Sequence, residues 1–285
     1  MMRREALRGK TIVVKYGGNA MKNESLKRAV IEDVVFFHQA GARIVLVHGG
    51  GPEIETMLRA LSIESRFVDG LRYTDKRTME VVQMALCGRV NKDLTAMIVQ
   101  NGIRAVGLSG IDGGLLRARK TTAHNLGLVG EIEAVDASFL ATLLDAGLLP
   151  VISTVALNTE AGGLGGADNA GESSGSLVLN INADTAATCI AAAMKAETLV
   201  MMTDIAGVLR VVSEPESLIP KITLDEIPGL KARGVISGGM IPKIDGAARA
   251  VENGVRDVRI IDGQEEHVLR DVFLAGKKRG TTITR

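Results

Sequence analysis

Residues 11–18 have the sequence TIVVKYGG, and this short stretch predicts both a type of fold and a type of site. The β-branched, apolar run Ile12–Val14 is typical of a buried strand. Lys15 stands where that strand should end, and Gly17 and Gly18 let a ligand approach the backbone closely. Because ligands of open α/β sheets bind beyond the carboxyl ends of the strands, a cation and bare N–H groups here predict an anion site, most simply for phosphate.

The pattern around this stretch alternates strands and helices for most of the 285 residues. A long helical stretch, interrupted near Gly88, is also predicted over residues 75–100, and short β segments precede residue 134. The other predicted strands are 43–47, 105–108, 148–153, 198–203 and 258–261, and the other predicted helices are 24–40, 52–61, 137–146, 184–196, 242–252 and 266–275. This alternation predicts an α/β fold with an open, mainly parallel sheet sandwiched by helices.

Composition excludes several classes of partner. Apolar residues make up 46% and charged residues 24% of the chain, which is typical of a globular protein. A formal net charge of +1 and only 2% aromatic residues argue against nucleic acid and acidic membranes as partners. Cys87 and Cys189 are the only cysteines, and Met1–Gly9 has no apolar core of a signal peptide. We therefore expect a cytoplasmic protein that does not enter a membrane.

A second glycine cluster, His48–Pro52, follows the predicted strand 43–47 and opens a helix. Such a helix start offers free N–H groups and the positive end of the helix dipole, so we favour an anion site over a tight turn that merely needs small residues. His48 could act as a general base. We favour instead a hydrogen bond to neighbouring backbone, which is the commoner role of a histidine beside such a loop.

Three further segments carry polar residues at strand or helix ends. Arg72 can offer a planar fork to a carboxylate. Asn180, Asn182 and Asp184 share one face if that run is extended, and they could equally cap the helix that follows. Lys243 falls in the first turn of a helix that glycines precede, where a lysine is unfavourable unless an anion compensates it.

Several familiar motifs are absent from the sequence. Gly9-Lys10-Thr11 ends like a P-loop, but Arg4 stands where the first glycine is required. No Gly-x-Gly-x-x-Gly joins a strand to a helix, and no Gly-x-Ser-x-Gly elbow occurs, so dinucleotide-dependent redox chemistry and a serine nucleophile have no support. The histidines lack partners at metal-ligand spacing, so no protein metal site is predicted.

Taken together, six segments resemble the amino-acid kinase family, and within it the members that phosphorylate N-acetyl-L-glutamate. They occur in the family's order and spacing across residues 11–282: Lys15–Gly18, His48–Pro52, Gly70–Arg72, Asn180–Asp184, Thr203–Leu209 and Gly238–Lys243. The resemblance implies the amino-acid kinase fold, with an N-terminal lobe (residues 1–183) that binds the amino acid and a C-terminal lobe (residues 184–285) that binds ATP.

The resemblance also implies a reaction, which is ATP- and Mg²⁺-dependent phosphorylation of the side-chain carboxylate of N-acetyl-L-glutamate, the second step of arginine biosynthesis. It assigns Lys15 and Lys243 to the transferring phosphoryl group and Asp184 to the carboxylate that positions them. Gly17 and Gly18 are expected to bind phosphate. The expected amino-acid site comprises Gly50, Gly51, Arg72, Asn180 and Asn182. The expected nucleotide site comprises Thr203, Asp204, Gly207, Val208, Leu209, Val235, Ile236 and Ser237.

Two classes of alternative stay open. The chain could be a sister kinase that acts on another carboxylate, such as aspartate, glutamate or an aminoadipate carried on a protein. It could also be a non-catalytic regulatory member of the family, although a dead member would have no need of Lys15, Asp184 and Lys243 together.

The chain departs from arginine-inhibited members of the family at three points. About ten residues, rather than a long helix, precede Thr11; Arg259 replaces a histidine, and Asp271 replaces a glutamate. These departures count against arginine feedback and against the hexamer built through that helix, so we expect a homodimer. Binding of a nitrogen-signalling protein, which some photosynthetic relatives show, is left open. The Gly- and Ser-rich segment Asn158–Ser176 is expected to be a long surface loop, with a lid as the alternative.

Overall fold

The strand predicted at residues 11–15 lies in the middle of the main sheet of the computed structural model. The structure describes residue 5 and residues 7–68, 70–122, 125–161, 176–275 and 279–285. The strands are β1 (Thr11–Tyr16), β2 (Arg43–His48), β3 (Phe67–Val68), β4 (Leu71–Arg72), β5 (Ala105–Ser109), β6 (Leu116–Lys120), β7 (Gly130–Val135), β8 (Leu149–Ser153), β9 (Val155–Asn158), β10 (Val178–Asn180), β11 (Thr198–Thr203), β12 (Lys221–Thr223), β13 (Asp257–Asp262) and β14 (Thr281–Thr284).

Most of the α-helices begin and end close to the predicted residues. They are α1 (Glu24–Gln39), α2 (Gly51–Ala60), α3 (Lys76–Gln83), α4 (Asn91–Gln100), α5 (Ala137–Asp145), α6 (Ala183–Ala193), α7 (Ile227–Ala232), α8 (Met240–Glu252) and α9 (Val268–Arg270). The long helical stretch is confirmed, and the interruption expected near Gly88 is a π-helical segment, Met84–Val90, that joins α3 to α4. In the described part of the chain, no helix has the length and apolar character needed to cross a membrane.

Among the described residues the main sheet has eight strands in the order β12-β14-β13-β11-β1-β2-β8-β5. Strands β13, β11, β1, β2, β8 and β5 run parallel, as predicted, whereas β14 runs antiparallel to β13 and pairs in parallel with β12. A second sheet, in the order β10-β9-β6-β7, and the short hairpin β3-β4 complete the pairing found there. The parallel pairing brings the carboxyl ends of β1, β2 and β11 to one edge.

The main sheet is buried on both faces. Val13 packs into one apolar cluster, and its neighbours Ile12 and Val14 pack into the other, because successive side chains of a strand point to opposite faces. Helices α2, α3, α5, α6 and α8 supply buried residues to the first cluster, and α1, α4 and α9 supply them to the second. The predicted sandwich of helices around a mainly parallel sheet is confirmed.

The structure differs from the prediction in several elements, among them helix α7, which was not predicted. The predicted helix 266–275 begins only at Val268, because His267 has a left-handed backbone (φ 54°) that ends the preceding turn, and residues 271–275 are π-helical. The extent of the second sheet was not predicted, because its short strands lack a regular alternation. Residues 162–175 of the predicted loop lie outside the described residues. At its described ends, the Asn158 side chain donates to the Ser176 carbonyl at 2.8 Å.

Candidate active site

Three of the predicted site residues meet beyond the carboxyl end of β1. The Asp184 carboxylate binds two lysines at once: Oδ1 lies 2.8 Å from Lys15 Nζ, and Oδ2 lies 2.7 Å from Lys243 Nζ. Each partner comes from a different element, since Lys15 belongs to β1, Asp184 to the first turn of α6 and Lys243 to the first turn of α8. The fold therefore holds two like charges close together through one carboxylate.

The local charges keep this carboxylate ionised. Burial alone would raise the pKa of Asp184, but the ammonium groups of Lys15 and Lys243 outweigh it and hold the pKa below its usual value. Lys15 is buried and also donates to the Met202 carbonyl at 3.0 Å, so its position is fixed from two sides. Lys243 is more accessible, with 28% of its side chain exposed.

A cavity of about 550 Å³, here called cavity A, contains most of the predicted amino-acid site. It is lined by Lys22, Gly51, Pro52, Glu55, Thr56, Arg59, Phe67, Gly70, Leu71, Arg72, Val129, Asn180 and Asn182. Of the five residues predicted for this site, Gly50 is the one outside this lining. Gly50 instead lines an adjoining cavity of about 330 Å³, and Leu86 packs so closely against it that a Cβ would come within 2.6 Å of Leu86 Cδ2.

Arg72 is held in cavity A by several contacts. Its Nη1 donates to Glu55 Oε2 at 3.1 Å and to Ser65 Oγ, and its guanidinium lies 4.6 Å from the ring centre of Phe67. The hydrogen bonds from Arg72 and Ser65 lower the pKa of Glu55. Arg72 is thus oriented by protein groups, and its charge is largely balanced by Glu55.

The two asparagines predicted for the amino-acid site are used differently. Asn180 donates from Nδ2 to Thr74 Oγ1 at 3.1 Å, at the wall of cavity A. Asn182 also lines the cavity, but its side-chain oxygen caps α6 by accepting from the backbone N–H groups of Asp184 and Thr185. The capping role considered for this segment is therefore present, and Asn182 rather than Asp184 fills it.

A second cavity, here called cavity B, has a volume of about 460 Å³ and lies at the lysine pair. It is lined by Lys15, Gly18, Met202, Thr203, Asp204, Ile205, Gly207, Val208, Leu209, Val212, Val235, Ser237, Gly239, Met240 and Lys243. Seven of the eight residues predicted for the nucleotide site line it. The Ile236 side chain is buried in the core and does not. Cavity B has cations at one part of its wall and apolar side chains at another.

The glycines after β1 let charged groups approach the backbone. Gly18 has φ 76°, and a Cβ there would come within 2.7 Å of Asp204 Oδ1. Gly17 is buried next to Lys15, whose Nζ would lie 3.6 Å from a Cβ at that position. A side chain at Gly18 would therefore displace the Asp204 carboxylate from the wall of cavity B.

His48 does not have the geometry of a general base. It is fully buried, its Nδ1 lies 2.8 Å from the Gly49 carbonyl, and its Nε2 lies 3.0 Å from Asn91 Nδ2. The carbonyl requires a proton on Nδ1, which leaves Nε2 as the acceptor. Burial lowers the pKa of His48 to about 4, so the ring is neutral at pH 7. The predicted hydrogen bond to neighbouring backbone is confirmed.

Sequence reasoning missed the groups that orient these residues. The Met202 carbonyl, Glu55, Ser65 and Thr74 each bind a predicted site residue. Thr74 precedes α3, but the side chain that caps this helix is that of Asp75, which accepts from the Thr78 N–H. No local pattern marks such partners, because they meet Lys15, Arg72 and Asn180 only through the tertiary fold.

Comparisons with known proteins agree in sequence and in structure. Residues 10–262 match the amino acid kinase family. An acetylglutamate kinase from Thermosynechococcus vestitus is 48% identical over 265 residues, which cover 93% of this chain and 85% of the relative. An acetylglutamate kinase from Clostridioides difficile is 44% identical over 281 residues, which cover 99% of this chain and 93% of the relative.

Solved structures with lower sequence identity share the fold. N-acetylglutamate synthase from Neisseria gonorrhoeae, complexed with coenzyme A and N-acetyl-glutamate, has a TM-score of 0.80 at 23% identity, covering 100% of this chain and 61% of that chain. Carbamate kinase from Giardia lamblia bound to AMP-PNP has a TM-score of 0.68 at 17% identity, covering 97% of this chain and 99% of that chain. At these identities the similarity concerns the fold alone.

Proposed function

The chain belongs to the amino acid kinase family, and we propose that within this family it phosphorylates the side-chain carboxylate of N-acetyl-L-glutamate with ATP, a step of arginine biosynthesis. One observation carries the proposal: a single carboxylate, Asp184, holds two lysines at the wall of cavity B, two residues after Asn182 at the wall of cavity A. An acceptor in cavity A and a phosphoryl donor in cavity B would meet at this lysine pair.

The chain's own groups suffice for the transfer without a general base. The nucleophile is a carboxylate, which is ionised at neutral pH, and the neutral, buried His48 has no task in deprotonating it. The remaining work is alignment and neutralisation of charge on the transferring group. Lys15 and Lys243 would donate to its oxygens from two elements, while Asp184, which binds both ammonium groups, would relieve their mutual repulsion.

Cavity B has the chemistry that a nucleoside triphosphate requires. Val208, Leu209 and Val235 offer apolar contact to a base, and Lys15, Lys243 and the N–H groups near Gly18 offer donors to phosphates. When bound, MgATP supplies the γ-phosphoryl group and a divalent charge on its oxygens. Among the described residues no cluster of three His, Cys, Asp or Glu side chains could hold a metal. Mg²⁺ would therefore bind mainly through the nucleotide's phosphates and water, its usual mode.

Trapping of the acyl phosphate tests this function. The purified protein is incubated with millimolar N-acetyl-L-glutamate, MgATP and hydroxylamine, and we expect hydroxamate to form in proportion to ADP. Aspartate, glutamate and aminoadipate serve as competing acceptors in parallel reactions. A higher kcat/KM with one of them would identify a sister kinase, and the absence of hydroxamate with every acceptor would identify a non-catalytic member.

We further propose that the enzyme works in the cytoplasm as a homodimer. Two departures from the arginine-inhibited pattern, Arg259 and Asp271, are engaged within the chain, which supports the absence of arginine feedback that we expect together with the smaller assembly. Arg259 pairs with Asp257 at 2.9 Å and stacks on Phe273, and Asp271 lies 3.3 Å from Arg279 Nε. Sedimentation equilibrium at micromolar protein would give twice the mass of the chain. A sixfold mass, or inhibition by arginine in the hydroxamate assay, would contradict this proposal.

A further inference from the structure

Lys22 stands out among the residues of cavity A. It ends the 3₁₀ segment Gly18–Lys22 that follows β1, so the segment that begins at Gly18, which is expected to bind phosphate, also carries this lysine. Lys22 is exposed, lines cavity A, and makes no hydrogen bond or ion pair with any other residue that the structure describes. Its charge is therefore available to a ligand.

The charges that line cavity A are unequal. Of the described residues at its wall, Lys22, Arg59 and Arg72 are cationic, and only Glu55 is acidic. Arg72 is bound to Glu55 and Ser65, so that pair contributes little net charge. The surplus positive charge comes from Lys22 and Arg59. Arg59 lies in the last turn of α2, one turn after Glu55, and its charge helps to lower the pKa of Glu55, whereas Lys22 lies in the turn that leads directly from Gly18.

Surplus positive charge favours one kind of acceptor over another. N-acetylglutamate carries two carboxylates and a neutral amide, and a carboxylate that does not react must still be accommodated near the site. Free glutamate carries an ammonium group at the same carbon, which the surplus charge repels. A cation with no partner among the described residues would therefore favour the acylated amino acid in two ways. It attracts the carboxylate that does not react, and it repels the ammonium group of a free amino acid.

We propose that Lys22 is a specificity-determining residue, which binds the α-carboxylate of the acceptor and helps to exclude free amino acids. This inference rests on the proposed function. Lys22 would act beside Arg72 and Asn180. It has no competing partner among the described residues, whereas Arg72 is engaged with Glu55 and Ser65.

The test removes the positive charge of Lys22 from the enzyme and, separately, the negative charge of the α-carboxylate from the substrate. Lys22→Met removes the charge at nearly constant volume, and Lys22→Arg retains it. Each variant is assayed with N-acetylglutamate and with its α-carboxamide, which keeps the reacting carboxylate but lacks the charge of the other. For Lys22→Met we expect KM for N-acetylglutamate to rise about tenfold, with kcat within about twofold, because a charge-assisted hydrogen bond is lost. KM for the carboxamide should change less than about twofold, and Lys22→Arg should retain most of the affinity.

Lys27→Met is the matched control. Lys27 belongs to α1, pairs with Glu24 at 2.6 Å and lines the adjoining cavity but not cavity A, so its loss should leave both KM values unchanged. Discrimination between N-acetylglutamate and glutamate should fall in Lys22→Met alone. Equal changes with both substrates, or none with either, in an active wild-type background would overturn the role of Lys22. Lack of acyl phosphate in the wild type would instead overturn the proposed function and this inference with it.

Discussion

Lys243 Nζ lies 2.7 Å from Oδ2 of Asp184, a residue 59 positions earlier in the chain, and this contact joins α8 to the start of α6. The other oxygen of the same carboxylate faces Lys15 at 2.8 Å. Asp184 thus holds both lysines, since two ammonium groups would otherwise move apart. The catalytic proposal depends more on this carboxylate than on either lysine alone.

Replacement of Asp184 by Asn should separate the lysines while preserving the size of the side chain. We expect kcat to fall by at least about 100-fold, because loss of one preorganised electrostatic interaction costs about 3 kcal/mol of transition-state stabilisation. KM for N-acetylglutamate should change little, since cavity A is untouched. Asp245→Asn is the control, because Asp245 also pairs with a lysine, Lys231, but lines neither cavity. A kcat within threefold of wild type in Asp184→Asn would refute the role of Asp184.

Lys243→Ala should act on the chemical step. The variant removes a donor to the transferring group without altering cavity A, so we expect kcat to fall far more than KM for the amino acid rises. Steady-state kinetics with both substrates measure this split. Lys231→Ala is the control. Lys231 pairs with Asp245, which lies on the same helix as Lys243, and its loss should leave kcat near the wild-type value. An unchanged kcat in Lys243→Ala would exclude Lys243 from the transfer.

Gly18→Ala tests the approach of Asp204 to the backbone. Gly18 has φ 76°, so alanine there should cost about 1 kcal/mol of stability. The new Cβ would also displace the Asp204 carboxylate, and we expect KM for ATP to rise. Gly9→Ala is matched in backbone strain, at φ 73°, but has open space around it. Both variants should lose similar stability in denaturant unfolding, and only Gly18→Ala should change KM for ATP.

Arg72→Lys should weaken binding in cavity A despite keeping the charge. A lysine cannot bind Glu55 and Ser65 in the planar arrangement that a guanidinium allows, nor stack on Phe67 in the same way. We expect KM for N-acetylglutamate to rise about tenfold and kcat to stay within about threefold. Arg66→Lys, in the same region and stacked on Tyr73, lies outside cavity A and should leave KM unchanged. An equal rise in both variants would indicate a general disturbance of the β3-β4 hairpin.

Much of the fold could be predicted because most elements carry a strong local signal. The strands of the parallel part, such as β1 and β11, are continuous apolar runs, and the helices between them have an apolar stripe or a clear cap. Strand β14, which runs antiparallel to β13, could not be predicted, because Thr281–Thr284 alternates too briefly to distinguish a strand from a tail. The pairing of β9 with β10 was likewise hidden, because it depends on chain closure between Asn158 and Ser176.

The site could be predicted where residues lie at the ends of strands and helices. Lys15, Asp184 and Lys243 each follow or open a recognisable element, and parallel topology then brings them to one edge. The groups that orient the predicted site residues could not be predicted. The contact of Arg72 with Glu55, for example, depends on how the β3-β4 hairpin packs against α2. Sequence position gave no distance between these two residues, and only the tertiary structure supplies it.

The neutral state of His48 should appear in the dependence of stability on pH. Burial lowers its pKa to about 4, and protonation would also remove the acceptor that Asn91 uses. In the unfolded chain the ring has its ordinary pKa of 6.5, so between pH 6.5 and 4 the unfolded state binds more protons than the folded state. The free energy of unfolding must therefore fall as the pH decreases through this interval, and the full contribution of His48 is present only above pH 6.5.

His48→Gln removes this titration and isolates its contribution. Between pH 7 and pH 5, we expect the wild type to lose about 2 kcal/mol more unfolding free energy than the variant, as the linkage relation gives for these two pKa values. Carboxyl groups and the other histidines titrate in both proteins, so their contributions cancel in the difference between the two unfolding free energies. The variant should be less stable than the wild type at pH 7, because Gly49 and Asn91 lose their partner, and denaturant unfolding at each pH measures both effects. Parallel curves for the two proteins would mean that His48 titrates with the same pKa in the folded and the unfolded chain. That result would contradict the lowered pKa, and His48 would then again be a candidate for proton transfer at the site.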